Sequence, residues 1–555
     1  MHHYRIRQIV RAMFALLLMV VMTSSLLPAA PALAQSPSVR YLVIAKADTL
    51  PSGLTDQVVA AGGTISAALQ EVGLISVESS NPNFVATVSA IKEVQSVVPD
   101  VLVPWVSAED VAALNQDFTL AGRDFTYTGQ DFAFTGRDFT FTGRDFTFTG
   151  RDFTFTGRDV TFGGQDSTSL TEPQDDYFFP FQWNMLAIHA PEAWAAGARG
   201  RGVRVAVLDA GFELIHPDFF WFNPATGPVN NIDAASGANF VPGEALQFNN
   251  SLPVSSHATH IAGIIAAADN GIGVIGVAPE STIVPIKVLR DADLQGDFAW
   301  IIQGIYYAAN LQGAQAVDVI NMSLGAAVYK NGWCDASGAC VTKKDVKELT
   351  DALKRAIKYA DKQGITVVAA AGNTYPGDPT MDMDHVGDLL FIPADTKGVI
   401  TVSATGPNGW GLNSNADLDM PAFYSRYGKS YVDFAAPGGN VDLAAATNPS
   451  SPLWGPCLIG GFPVNPCGTA DLVPSTLAAN QGGWGWLYGT SMATPHVAGV
   501  MALVIGQNGG EMKPDKVEST LKKSADDLNK LGLDDFYDKP DFYGDGRVNA
   551  YNAVR

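Results

Sequence analysis

Two regions of the chain contain short apolar runs that alternate with amphipathic segments. In residues 36–105, the runs VRYLVIAK, LISVESS and VQSVVPDVLV predict strands, and LTDQVVAAGG and NFVATVSAIK predict helices. From residue 181, apolar runs such as VRVAVLDAG, TIVPIKVL and ITVVAAAGN alternate with helical segments such as HATHIAGIIAAA. This alternation predicts an α/β fold with a mainly parallel sheet flanked by helices. We therefore expect a small α/β unit at 35–107 and a large α/β domain at 181–555.

Between these regions lies a seven-residue repeat, with seven copies at 117–165 and an acidic linker after it at 166–180. Each copy, such as DFTFTGR, has a five-residue strand pattern and two turn residues, and the leading Gly suits a type II′ hairpin. The repeat thus predicts a β-meander with one aromatic face. Such a face is too large to stay exposed on a soluble monomer, so we expect it to dock on the large domain, the small unit, another chain or a surface. A disordered spacer and a β-solenoid are the alternative interpretations.

The N-terminus has the pattern of a secretory signal. Arg5, Arg7 and Arg11 precede the apolar run AMFALLLMVVM, and Ala32-Leu33-Ala34 offers a cleavage site. The apolar run is short for a membrane span, which needs about 20 residues. We therefore expect a signal peptide at 1–34 and a secreted protein cleaved near Ala34.

Charge and cysteines agree with export. There are 35 Lys and Arg against 56 Asp and Glu, a net charge of −21, which argues against nucleic-acid binding. The four cysteines fall into two close pairs, which favours the disulfides Cys334–Cys340 and Cys457–Cys467 among three possible pairings. A zinc site is the alternative, but no His lies near either pair in the sequence, and an oxidising compartment favours disulfides.

Three segments place polar residues where catalysis could use them. Asp209 ends an apolar strand, His257 begins a tightly packed helix, and Ser491 opens the helix in GTSMATPHVAGVMALV. Each residue alone is more often structural, as a strand-end turn, a buried histidine or a helix cap. Together they supply the groups for nucleophilic acyl transfer, in the chain order Asp, His, Ser.

These segments resemble the subtilase family of subtilisin-like serine endopeptidases. GTSMATPHVAG resembles the family's serine motif, HATHIAG its histidine motif and VAVLDAG its aspartate motif. GVAPESTIVPIKVL, INMSLG, VVAAAGN, VDFAAPGG and YGDGRVNAYNAV also resemble family segments, and the resemblance covers about 180–555. It implies a subtilisin-like fold and an enzyme that hydrolyses proteins or peptides. The resemblance assigns Ser491 as the nucleophile, His257 as the general base and Asp209 as the partner of His257.

The resemblance assigns further site residues. Asn373 matches the side chain that stabilises the oxyanion, and the strand that pairs with the substrate backbone would be Ser323, Leu324 and Gly325. Ala210 and Ala258 depart from the family, which usually has Ser or Thr and Gly at these places, but the triad itself is intact. We therefore expect an active enzyme. Three histidines resemble non-catalytic family residues: His216, His260 and His496.

The resemblance also implies structural calcium and no catalytic cofactor. Asp218 would supply a carboxylate and Asn270 an amide oxygen, and the carbonyl ligands would come from Ala268, Ile272 and Val274. Oxygen ligands of this kind suit Ca²⁺, although a plain turn would give the same sequence pattern.

Residues 35–107 resemble, more loosely, the family's inhibitory propeptide. Such a unit would help folding, lay its tail in the substrate groove as an intramolecular inhibitor, and be removed by self-cleavage. Two alternatives belong to other classes: a catalytically inert scaffold in which the repeat does the work, and an esterase. The esterase lacks its G-x-S-x-G elbow in this sequence.

Overall fold

The computed structural model describes most of the chain outside three longer segments and a few short loops. The described residues are 38–106, 176–223, 227–252, 254, 256–334, 340–374, 378–443, 448, 450–528 and 542–555. The predicted signal peptide at 1–34 and the repeat at 117–165 lie outside them. Within the described ranges, no helix is long and apolar enough to cross a membrane.

The first described part, residues 38–106, folds as a small unit that we call the N-terminal unit. Its four strands form an antiparallel sheet in the order β2-β3-β1-β4. Val43, Leu54, Ile75 and Phe84 are buried together in its core. The elements are β1 Val39–Ala45, α1 Leu54–Ala60, β2 Thr64–Leu69, β3 Leu74–Ser79, α2 Phe84–Ser89 and β4 Val94–Pro99.

After β4 the N-terminal unit continues as an extended tail. A short strand, β5 (Leu102–Pro104), leaves the small sheet and pairs antiparallel with Gln295–Asp297 in the large domain. The sequence had suggested one strand through 94–103, but Asp100 breaks it, since its carboxylate accepts a hydrogen bond from the backbone N–H of Ala299 at 3.1 Å.

The large domain contains a sheet of seven parallel strands within the described residues, in the order β13-β12-β11-β10-β6-β8-β7. Nearly every residue of its central strands is buried, because helices cover the sheet. The predicted α/β fold is therefore confirmed. The strands are β6 Arg204–Asp209, β7 Ala238–Asn239, β8 Thr282–Lys287, β10 Val319–Met322, β11 Thr366–Ala370, β12 Val399–Thr405 and β13 Phe434–Pro437, and β9 is the tail-pairing strand Gln295–Asp297.

Four helices position the site. Helices α3 and α6 pack against each other and contact the sheet, while α4 and α5 form a second packed pair. The sheet edge at the carboxyl ends of the strands therefore meets the start of α3 and of α6. The helices are α3 His257–Ala266, α4 Phe298–Asn310, α5 Lys343–Lys362 and α6 Thr490–Gln507.

Antiparallel strand pairs and further helices lie around this sheet. The further helices are Trp183–Ala187, Ala190–Ala195, Pro514–Ser524 and Ala550–Ala553. Four hairpins within the described residues pair Phe220–Asn223 with Gly227–Asn230, Gly332–Cys334 with Cys340–Thr342, Cys457–Ile459 with Phe462–Val464, and Val473–Thr476 with Trp484–Leu487. Two strands far apart in the chain, Ala326–Tyr329 and Leu389–Ile392, also pair antiparallel.

Both predicted disulfides, Cys334–Cys340 and Cys457–Cys467, are present in the structure. At the start of the large domain, the chain packs earlier than the sequence suggested. Asp176 is already buried, and the Phe178 ring contacts Trp484 and Trp486. Residues 176–180, the last part of the predicted linker at 166–180, therefore belong to the packed domain.

The N-terminal unit binds the large domain through polar side chains at α4 and α5. The Arg40 guanidinium lies over Trp300 and 2.8 Å from a carboxyl oxygen of Asp297. On α5, the carboxylate of Glu348 accepts hydrogen bonds from Gln95 at 2.6 Å and from Ser96 at 3.1 Å. This face fixes the unit so that its tail extends along β9.

Candidate active site

Asp209 lies at the carboxyl end of β6, in the middle of the sheet, and is fully buried. Each of its carboxylate oxygens is 2.9 Å from Nδ1 of His257. The backbone N–H of Ala210 donates a further hydrogen bond to Oδ1 at 2.7 Å. A backbone donor thus holds the carboxylate at the position where the family usually has a hydroxyl residue.

His257 is the first residue of α3, and its ring is buried. Because Nδ1 faces the carboxylate of Asp209, it carries the proton, and Nε2 is left as the basic atom. The following residue, Ala258, is completely buried inside the regular helix, so the helix accommodates the added methyl group.

Ser491 is the second residue of α6, and its hydroxyl donates to the backbone oxygen of Ser323 at 2.9 Å. The first turn of a helix has backbone N–H groups without intrahelical acceptors and a positive potential. The backbone N–H of Ser491 belongs to this turn, so the same residue offers a hydroxyl and a donor for a developing anion.

Asn373 follows β11 and is oriented by the residue before Ser491. Its Oδ1 accepts hydrogen bonds from Thr490 N at 2.9 Å and from Thr490 Oγ1 at 2.8 Å. The amide nitrogen therefore points the other way. A Cβ built on Gly489 would lie 3.2 Å from this Nδ2 and 3.6 Å from Ser491 N. The missing side chain at Gly489, whose φ is 148°, leaves space beside both donors.

The segment Ser323–Gly325 extends β10 beside Ser491, and the tail of the N-terminal unit lies against it. The N–H of Gly325 donates to the oxygen of Trp105 at 2.7 Å. Trp105 is 1% exposed, packs edge-on against Phe298 and donates through Nε1 to the oxygen of Gly296 at 3.0 Å. A peptide segment thus already occupies the groove between β9 and Gly325.

The three histidines that resemble non-catalytic family residues are buried and form hydrogen bonds with backbone oxygens. His216 donates to the Gly483 oxygen at 2.7 Å, and His260 to the Val473 oxygen at 3.1 Å. His496 donates to the Met492 oxygen and faces Asn184, each at 2.8 Å. Burial lowers the pKa of His216 and His496 to about 4, and burial with the nearby His257 lowers the pKa of His260 to about 3. These neutral rings have structural partners.

Of the four other residues expected to bind calcium, Ala268 and Val274 contact Asp218 directly. The Asn270 side chain instead accepts from Ile272 N at 3.0 Å and donates to the Phe220 oxygen at 2.9 Å. The loop after α3, which contains Ala268, Asn270, Ile272 and Val274, wraps the Asp218 carboxylate: Val274 N donates to Asp218 Oδ2 at 3.0 Å, and Ala268 N donates to the Asp218 backbone oxygen at 2.7 Å. The Oδ1 atom of Asp218 is buried without a hydrogen-bond partner in the described structure.

Few of the potential metal ligands in this loop are charged. Burial raises the pKa of Asp218 well above its usual range, because few groups compensate an ionised carboxylate there. No group of three or more His, Cys, Asp or Glu in the described residues could hold a metal ion. Any cation at Asp218 must therefore also use amide and carbonyl oxygens, which are ligands that Ca²⁺ accepts.

Several functional residues escaped the sequence analysis. Thr490 was visible only as part of a motif, and Gly489 only as a helix-flanking glycine. The strand β9 has the sequence QGD, which carries no strand pattern, and it forms because the tail pairs with it. A single Trp at 105, after a predicted strand, was the one available signal for the tail.

Comparisons with known proteins agree with the fold and the site geometry. The family model described as the Subtilase family matches residues 200–538. Thermitase of Thermoactinomyces vulgaris is 31% identical over 384 residues, which cover 69% of this chain and 99% of thermitase. Subtilisin BL of Lederbergia lenta is 32% identical over 374 residues, covering 67% and 98% of the two chains.

Among solved structures, the epidermin leader peptide processing serine protease of Staphylococcus aureus superposes with a TM-score of 0.60 at 20% identity. The match covers 94% of this chain and 98% of that one, and it supports the fold. Sheet, site and relatives together define a serine-type endopeptidase that acts on protein substrates. The chain belongs to the subtilase family.

Proposed function

We propose that Asp209, His257 and Ser491 form the catalytic triad of this endopeptidase, with Asn373 in the oxyanion hole. The observation that carries the proposal is the contact of both Asp209 oxygens with His257 Nδ1 at 2.9 Å, because it leaves Nε2 as a base. Thr490 supports it by turning the Asn373 amide nitrogen toward the space beside Ser491 N.

In this mechanism the Ser491 hydroxyl turns from the Ser323 oxygen toward His257 Nε2 and gives up its proton as Oγ attacks the scissile carbonyl carbon. The carbonyl oxygen becomes an anion and accepts hydrogen bonds from Asn373 Nδ2 and Ser491 N. His257, whose positive charge is stabilised by Asp209, then donates the proton to the leaving amine. The remaining acyl-enzyme is hydrolysed when water attacks by the same route and regenerates the serine.

The test is casein hydrolysis by the purified protein, with and without a serine-directed phosphonylating reagent. We expect the reagent to label Ser491 and abolish activity, and we expect Ser491→Ala to be inactive and unlabelled. Ser519→Ala, in the helix Pro514–Ser524, is the control and should keep wild-type activity. Robust casein hydrolysis by Ser491→Ala would contradict the assignment of the nucleophile.

We further propose that the N-terminal unit is an inhibitory propeptide removed by self-cleavage. Its support is the tail, since β5 pairs with β9 and the Trp105 oxygen accepts from Gly325, as a substrate backbone would. Ser323, Leu324 and Gly325 are then the substrate-binding strand on the other side of the peptide.

This register predicts the self-cleavage site. If the tail runs antiparallel to Ser323–Gly325, moving two residues forward from Trp105 corresponds to moving two residues back from Gly325, to Ser323. The Ser323 oxygen accepts the hydrogen bond from the Ser491 hydroxyl. The bond brought to Ser491 therefore follows residue 107, a serine. N-terminal sequencing of the mature protein should give Ala108, so the repeat at 117–165 would stay with the mature enzyme. Loss of the unit from isolated Ser491→Ala protein would refute self-cleavage.

Calcium is proposed as a structural ion at Asp218. The unpartnered, buried Oδ1 of Asp218 fits a cation, with Asn270 and the carbonyls of Ala268, Ile272 and Val274 as further ligands. A bound ion would neutralise the buried carboxylate and stabilise the loop after α3.

Secretion is proposed from the N-terminal signal pattern, and the two disulfides are consistent with an oxidising compartment. The expected result is recovery of the protein from the medium without residues 1–34. Retention of intact residues 1–34 on cell-associated protein would contradict it.

A further inference from the structure

A gap opens beside Ser491 where two neighbouring strands of the sheet end. Strands β10 and β11 pair with each other, and their extensions, Ser323–Gly325 and Ala371–Asn373, lie on either side of the serine. The Ser491 hydroxyl donates to the Ser323 oxygen, and Gly372 N donates to Thr490 Oγ1 at 3.1 Å. A substrate residue whose carbonyl carbon is attacked by Ser491 must therefore project its side chain between these two extensions.

The ring of Phe391 already fills this gap. A Cβ built on Gly325 would lie 2.7 Å from Cζ of Phe391, and one built on Gly372 would lie 2.5 Å from the same atom. Real Cβ contacts are longer than this, so the tip of the ring lies directly against the Cα faces of both glycines. Phe391 as a residue is 8% exposed.

Phe391 is held in place from behind. It lies in the strand Leu389–Ile392, opposite Ala327, and its backbone N–H donates to Asp395 Oδ2 at 2.6 Å. The guanidinium carbon of Arg426 is 5.3 Å from the ring centroid, within the range of a cation–π interaction. Arg426 is in turn tied to the same region, because its backbone N–H donates to the Gly372 oxygen at 2.9 Å. Moving the ring out of the gap would therefore disturb several contacts.

We propose that Phe391 determines specificity by closing the pocket for the residue that precedes the scissile bond, so that the enzyme cleaves after small residues such as Gly, Ala and Ser. The proposal rests on the proposed catalytic role of Ser491 and names the substrate class of that site. The expected self-cleavage position agrees with it, because residue 107 is a serine.

The test uses the mature enzyme and peptides with the chain's own residues 102–111, LVPWVSAEDV, that carry Ser, Ala, Leu or Phe at the position of residue 107. We expect kcat/KM for the Ser and Ala peptides to exceed that for the Phe peptide by at least about 100-fold, the scale on which a pocket discriminates size. Phe391→Ala should raise kcat/KM for the Phe peptide by at least about 30-fold while changing that for the Ala peptide much less.

Phe391→Leu is the second variant and should give an intermediate preference. Tyr329→Ala, an exposed aromatic residue on the paired strand, is the matched control and should keep the wild-type preference. Titration with a small phosphonylating reagent gives the fraction of folded, active enzyme in each preparation, and all rates are normalised to it.

The outcomes separate this proposal from the proposed function. Equal cleavage of the Phe and Ala peptides by the wild-type enzyme would overturn the role of Phe391 and leave the triad untouched. An unchanged ratio in Phe391→Ala and Phe391→Leu, at full active-site titre, would overturn it as well. Failure of the wild-type enzyme to cleave any peptide or to react with the reagent would instead overturn the proposed function.

Discussion

The site has two sides that are built from different chemistry. The proposed reaction side consists of Asp209, His257, Ser491 and Asn373, which make polar contacts of 2.7–2.9 Å. The peptide side consists of β9, the strand Ser323–Gly325 and the Phe391 ring, which offer backbone groups and apolar surface. In the proposed mechanism, the placement of single atoms sets the rate on the first side, whereas shape selects the bound peptide on the second.

The largest effect is expected on the reaction side. Asn373→Leu removes one donor to the oxyanion and should lower kcat by about 10²–10³-fold with little change in KM, the general cost for which subtilisin is the type example. Steady-state kinetics on one peptide measure both constants. Asn413→Ala, an exposed asparagine, is the control, and a wild-type kcat in Asn373→Leu would show that the oxyanion is stabilised elsewhere.

A smaller effect is expected from the tail, on the peptide side. A synthetic peptide of residues 102–107 should inhibit the mature enzyme competitively, and replacing its Trp105 by Ala should raise Ki by at least about 30-fold, the minimum for an interface hot spot of about 2 kcal/mol. The reason is the burial of the Trp105 ring against Phe298. The same change at half-buried Leu102 should cost much less. Equal Ki values for the two variants would show that the backbone alone binds the tail.

The affinity between the N-terminal unit and the large domain should depend on pH. In the complex, burial raises the pKa of Asp100 to about 6, and burial with the charge of Asp100 raises that of Asp297 to about 8, although Arg40 and Arg290 oppose the shift and Glu78 adds to it. The complex then binds more protons than its separated parts. Its affinity should be greatest at low pH and fall as the pH rises from about 4, the usual carboxyl pKa, to about 8, by up to about tenfold per pH unit and proton.

Release of the cleaved unit from the processed enzyme, measured by size-exclusion chromatography between pH 5.5 and 8.5, tests this sign. Asp297→Asn cannot ionise and should flatten the upper part of the profile. Asp293→Asn, a partly exposed carboxylate paired with Arg290, should retain it. Tighter binding at high pH would reverse the sign and exclude these carboxylates as the cause.

The smallest effect concerns stability, away from both sides. Calcium at about 10 times its Kd adds about 1.4 kcal/mol to the free energy of unfolding, so Tm should rise by a few degrees when it is added and fall with a chelator. Asp218→Asn should remove this response, and Asp361→Asn, an exposed helix carboxylate, should keep it. A calcium response that persists in Asp218→Asn would place the ion elsewhere.

The sequence predicted the reaction side better than the peptide side. Asp209, His257 and Ser491 were predicted because three short segments, each weak alone, occur in the order and with the motifs of the subtilase family. Strand β2 was missed because its residues are half exposed and alternate weakly, and β9 because it exists only through pairing with residues almost 200 positions away in the chain. The place of Phe391 was hidden for a related reason, since an apolar strand does not show which gap its side chains fill.

The tail enters the groove from the same polypeptide as the enzyme, and this sets how inhibition depends on dilution. Before cleavage, tail and groove belong to one chain, so their binding is intramolecular and does not depend on the bulk concentration. Dilution therefore leaves the uncut chain inhibited. After cleavage, the unit is an ordinary ligand whose occupancy follows its bulk concentration. Concentrated processed enzyme would therefore remain inhibited, and the same molecules would become active on dilution.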